Sequence, residues 1–183
     1  MPAQDTLTVL TETVPLYGRV LSAVEGFEQE LRRHLRNRLA ELGEVLATAD
    51  IDYDVEQTKI TTLDSGSRFL AYAPITRFRT YAGKDESWIR AGISWTPVEG
   101  RLMPYAFLGF YFLKSTNVDW KVVLKTTAAK MPAEIEMKTF SNKGERWAEI
   151  GFKSNSYYRS ALADLDRDLD ELGKHAAAAF GGG

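Results

Sequence analysis

The 183-residue chain carries 23 Lys+Arg against 25 Asp+Glu, two His, no Cys, and 44% hydrophobic and 11% aromatic residues. That length and apolar content suit a single domain with its own core and exclude a wholly disordered chain. A formal charge of −2 argues against general affinity for nucleic acid or anionic membrane while leaving room for a local basic patch. Zero Cys excludes disulfides, thiolate metal sites, iron–sulfur clusters and Cys nucleophiles.

Residues 1–18 hold Asp5 and Glu12 and no basic stretch, unlike a secretory leader. The first strong pattern follows Pro15. Leu16, Val20, Val24, Phe27, Leu31, Leu35, Leu39, Leu42 and Val45 recur at steps of three and four, the period of one apolar helix face. Thr13-Val14-Pro15 is a start signal and Gly18 pushes the regular helix to Arg19. From Arg19 to Ala47 the helix would be about 43 Å long. Its outer face carries Glu28, Glu30, Arg32, Arg33, Arg36, Arg38, Glu41 and Glu44.

From Val55 the period changes to two. Strand candidates are 56–63, 68–73, 75–82, 88–96, 102–114, 119–127, 133–140 and 146–153. Turn residues separate most of them, among them Asp64-Ser65-Gly66, Ser115-Thr116-Asn117 and Ser141-Asn142-Lys143-Gly144. Connections this short hold no crossover helix, so no helix is expected between Leu102 and Phe152. The longest apolar run, Leu102 to Leu113, is broken by Pro104 and Gly109 and falls short of the roughly 20 residues of a bilayer span. A cytoplasmic protein with no membrane contact is the expectation.

A last helix is expected from Ser156 to about Ala179, with Ser154, Asn155 and Ser156 as cap candidates and Tyr158, Leu162, Leu165, Leu169, Leu172, Ala176 and Phe180 as its apolar stripe. The whole reads as one α+β domain over 1–183, with residues 1–14 and 177–183 as flexible ends. It is an antiparallel β meander of six to eight strands, flanked by a long N-terminal helix and a C-terminal helix that cover one sheet face.

Alternation assigns the faces. Ile89, Ala91, Ile93 and Trp95 oppose Trp88, Arg90, Gly92, Ser94 and Thr96; Ala148, Ile150 and Phe152 oppose Trp147, Glu149 and Lys153. Residues 102–114 are apolar on both faces, which demands a second cover: a curled sheet, a loop, a ligand or another subunit. On the polar side, Arg77, Arg79 and Tyr81 share one strand face and Trp88 and Arg90 the next. Arg, Trp and Tyr are enriched in binding hot spots, and Arg suits carboxylates and phosphates. The structural alternative is cross-strand pairing of these arginines with Glu134, Glu136 and Glu149.

No Gly-rich phosphate loop, Gly-x-Ser-x-Gly elbow or His-Glu-x-x-His pair occurs. His34 and His175 have no motif partner, and two His cannot build a multi-His zinc site. The run Asp164 to Asp170 lacks the Gly and Glu of a calcium loop and carries the helix stripe instead. Asp119 with Glu136-Met137-Lys138 resembles the acidic-then-E-x-K spacing of PD-(D/E)xK nucleases. That resemblance implies two acids on Mg²⁺ and a Lys orienting water. It covers three positions, and the turn at 141–144 leads into a strand where that fold has a helix.

Three readings of function follow. The first is a non-enzymatic binding protein (an accessory, inhibitor, immunity or chaperone-like module) with a protein partner and no cofactor. The second is a module for a small anionic ligand or nucleotide, held by Arg77, Arg79 and Arg90 with Trp88 stacking. The third is a Mg-dependent nuclease. A homodimer is expected through the apolar face around Leu108, Phe110 and Phe112, and the basic run Arg32 to Arg38 is expected to oppose the acids of the last helix, within one chain or across a two-fold axis.

Overall fold

In the computed structural model the described residues are 3–63, 68–78, 81–82, 87–98, 101–112, 119–142, 145–153 and 162–181. The chain divides into two compact units, Met1–His34 and Leu35–Gly183. Helix α1 runs Ala3–Ala47 and so starts well before Arg19. Pro15 and Gly18 do not interrupt it. Propagating a formed helix adds a hydrogen bond for each residue fixed, which carries it past Gly18; Pro15 has no N–H to donate, so the helix passes it with one intrahelical bond fewer. In the first unit, Arg32 pairs with Glu28 at 3.4 Å and Arg33 with Glu30 at 2.5 Å along the helix surface, while Val20, Val24 and Phe27 are exposed.

In the second unit, Leu35, Leu39, Leu42 and Leu46 form the buried stripe of α1. The chain then turns at Asp50, whose φ of 56° lies in the left-handed region, into β1 (Ile51–Tyr53). Asp54 caps a single 3-10 turn, Val55–Gln57, by accepting from the backbone N–H groups of Glu56 and Gln57. β2 (Lys59–Leu63) continues along the same edge of β3 (Arg68–Phe78) that β1 occupies. β4 (Tyr81–Ala82) returns on the other edge, followed by β5 (Trp88–Val98) and β6 (Arg101–Phe112).

Residues 119–127 are not a strand. They open α2 (Trp120–Lys130), which Asp119 caps by accepting from the N–H groups of Lys121 and Val122. Trp120, Val122 and Leu124 alternate as in a strand, yet Trp120, Leu124 and Thr127 stand at helical spacing and are the residues buried. The cap decides between the two periods. β7 (Ile135–Asn142) and β8 (Glu145–Phe152) form a hairpin, and α3 (Leu162–Gly181) ends the described chain. The cap candidates at 154–156 lie outside the described residues.

The sheet order is β1-β3-β5-β6-β8-β7, with every pairing antiparallel. The chain leaves β6, passes through α2 to the far edge, and comes back as β8 between them. This split crossover departs from a meander, as do β1 and β2 sharing one edge of β3. The class is α+β, with a long N-terminal and a C-terminal helix. No helix among the described residues is long and apolar enough to cross a membrane.

The core lies on the helical side of the sheet. Phe78 meets Phe112 and Phe180 edge-on at 5.0 Å each, and Phe112 stacks on Trp120 at 3.9 Å. Leu108, Phe110 and Phe112 are therefore core residues, not a face awaiting a second subunit; all three are 0% exposed. α3 continues through Ala176–Phe180, and Phe180 is inserted among these rings. Burial of one large side chain, about 1.5–3 kcal/mol, outweighs the weak local signal of an alanine run. Arg38 on α1 bonds the Asp170 carboxylate of α3, so this arginine of the basic run meets the last helix within one chain. Gly173 permits the closeness: a Cβ there would lie 2.5 Å from Leu42 Cδ2.

Candidate binding face

The other face of the sheet carries the residues alternation turned away from the core. Register brings Trp88 (β5) opposite Tyr111 (β6), Tyr111 opposite Trp147 (β8), and Trp147 opposite Phe140 (β7). Four aromatic rings from four adjacent strands therefore form one row. Their centroids are 5.1, 6.3 and 5.5 Å apart in that order, and the Tyr111–Trp147 and Trp147–Phe140 pairs are stacked. Phe140 is exposed and the other three are half-buried.

The neighbouring register holds charge. Tyr72 lies opposite Arg90, Arg90 opposite Gly109, Gly109 opposite Glu149, and Glu149 opposite Lys138. The Arg90 guanidinium stands 5.0 Å from the Tyr111 ring centre. A second arginine, Arg68 on β3, lies 4.4 Å over the Phe107 ring and reaches Glu149 at 2.9 Å. Gly92 makes this layering feasible, since a Cβ there would meet Phe107 at 2.5 Å and the Phe69 carbonyl oxygen at 2.6 Å. Phe107 thus fills the space over Gly92 and is itself buried. The two-faced apolarity of β6 is resolved: helices cover one side, and Arg68 with the aromatic row covers the other.

Arg90 differs from its neighbours. Among the described residues Arg68 pairs with Glu149, Lys138 with Glu136 at 3.4 Å, and no carboxylate lies within 4.0 Å of Arg90. Desolvation by burial lowers its pKa, and the Glu149 carboxylate opposes that shift. A shallow recess of about 300 Å³ opens beside it, lined by Thr61, Leu70, Tyr72, Trp88 and Arg90. Desolvation, followed by the Glu145 carboxylate, raises the pKa of Tyr111, so the row presents a neutral phenol.

Of the five site residues read from the sequence, Trp88 and Arg90 share this face. Arg77 does not join them. A bulge between the partners of Asp52 and Tyr53 shifts the register, and Arg77 pairs with Asp50 at 2.7 Å and Asp52 at 2.8 Å. Arg79 lies outside the described residues, as does the side chain of Tyr81. Glu134 and Glu136 form no pair with these arginines among the described residues; Glu149 does pair with an arginine, but with Arg68. The sequence pattern does not single out Tyr72, Tyr111, Trp147, Phe140 or Arg68, although alternation places Trp147 and Glu149 together on this face. Asp119 is the α2 cap, while Glu136 and Lys138 pair with each other on β7. Among the described residues no group of three or more His, Asp or Glu is placed to hold a metal ion.

Comparison with protein-family models, with curated proteins and with solved structures finds no match to this chain.

Proposed function

We propose that the protein is a non-enzymatic binding module, of the accessory, inhibitor, immunity or chaperone-like kind, that docks a protein partner on the open face of its sheet. The observation supporting this is the unbroken row Trp88–Tyr111–Trp147–Phe140 with Arg90 beside it. Tyr, Trp and Arg dominate binding hot spots because each buries a large surface and keeps a polar handle. Immobilised wild type is compared with Trp147→Ser and with the control Lys153→Gln, using extract of the native host. A partner held by wild type and control but weakened about 30-fold by Trp147→Ser carries the reading, that being the effect of one hot-spot residue. Equal retention by all three, or none by any, overturns it.

A second reading is a small anionic ligand or nucleotide in the recess between Trp88 and Arg90. It is favoured by a guanidinium with no carboxylate within salt-bridge distance among the described residues. Thermal shifts with nucleotides distinguish it, since a ligand that binds only the folded state raises apparent stability. A cytoplasmic setting and self-association belong to the same picture. With Phe110 in the core, self-association turns to the exposed stripe of α1.

A further inference from the structure

On the helical side of the sheet, α2 and the β7–β8 hairpin enclose a groove of about 400 Å³. Lys121 and Lys125, one turn apart on α2, line one wall, and Arg146 of β8 lines the other. Thr139 and Ser141 contribute hydroxyl groups, and Met137 an apolar surface. No carboxylate lines the groove, and among the described residues none of the three cations has a carboxylate within 4.0 Å; the Arg146 Nη1 donates only to the Glu145 carbonyl at 3.0 Å. The cations of the groove lie on the opposite side of the sheet from Trp88, Tyr111 and Trp147, and Phe140, at the end of the aromatic row, also lines the groove.

Like charges one turn apart on a helix repel, and a third cation facing them across a groove adds to the cost. In a chain with more acids than bases, such a cluster without a counter-charge is unusual. An anion of two or more charges would relieve it, accepting from both ammonium groups, the guanidinium and the hydroxyls. Arg offers the planar fork that suits phosphate, and Lys binds it as a point charge. The Met137 side of the groove leaves room for an apolar portion of the ligand. We propose that this groove is a binding site for a small organic phosphate of up to nucleotide size.

Inorganic pyrophosphate is the probe, titrated calorimetrically into the full chain at low salt. Saturable binding is expected at or below about 1 mM. Lys121→Gln and Lys125→Gln, both at exposed helix positions, each weaken it about tenfold, the worth of one charge-assisted hydrogen bond. Arg90→Gln on the opposite face leaves it unchanged. Absence of saturable binding overturns the proposal, as does binding that both lysine variants retain. Binding lost in Arg90→Gln and kept in the lysine variants assigns the phosphate to the Trp88 recess and overturns the groove.

Discussion

Tyr53 shows how much one side chain contributes when both its ring and its hydroxyl have partners. Its O–H donates to the Leu39 carbonyl oxygen of α1, and its ring end lies 3.7 Å from where a Cβ on Gly43 would be. Burial raises its pKa above the ordinary value of 10.0. A folded pKa above the unfolded one means the neutral phenol stabilises the fold fully below pH 10. That contribution is lost as pH climbs from the unfolded toward the folded value. Urea midpoints of wild type therefore fall more steeply above about pH 10 than those of Tyr53→Phe. At pH 8 the variant is less stable by about 1 kcal/mol, the worth of one hydrogen bond. Parallel alkaline limbs would show that Tyr53 does not titrate with unfolding. Residue identity made Trp88 and Arg90 legible in the sequence because alternation alone fixes which face a strand residue takes. Arg68, Tyr111 and Trp147 escaped notice because their meeting depends on the registers of four strands, and register is a pairwise property no single strand encodes.

Among elements, α2 carries the clearest lesson. Eleven residues are too few for periodicity to settle when the apolar positions fit both two and 3.6. The decisive signal was Asp119, read in the sequence as a metal-binding acid and found capping the helix. Its replacement by Ala should destabilise the chain by about 1 kcal/mol, the ordinary worth of a side-chain cap. Asp119→Asn should retain most of that, since an amide oxygen accepts the same bonds. Denaturant midpoints of the two variants test this, and equal losses would mean charge, not capping, is what Asp119 supplies. The two long helices were legible from their stripes, although their ends were not. The start of α1 has no sharp stop signal upstream of Pro15, and the end of α3 is set by Phe180 packing on Phe78 and Phe110, contacts distant in sequence.

For the whole molecule, the open question is what covers the exposed stripe of α1. Val20 is 58% exposed, Val24 45% and Phe27 54%, spaced at steps of four and three as a helix–helix seam requires. The proposed self-association would place a second copy on this stripe. In an antiparallel pair centred between Ala23 and Val24, Val20 of one helix faces Phe27 of the other, and Arg19 faces Glu28, twice over by symmetry. The apolar seam would have to supply the affinity, since exposed ion pairs contribute only about 0–1 kcal/mol each. The Arg19–Glu28 pairs would favour the antiparallel sense. Light scattering of wild type should give a mass rising with concentration from 20.5 kDa toward twice that value. Val24→Glu should stay monomeric with an unchanged helical spectrum. Arg19→Glu should weaken association and Arg19→Glu with Glu28→Arg should restore it, a rescue that loss of folding cannot mimic. Phe110→Asp should instead unfold the chain, because that ring lies in the core. A wild type that holds the single-chain mass into high micromolar concentration would leave the stripe to a partner of a different kind.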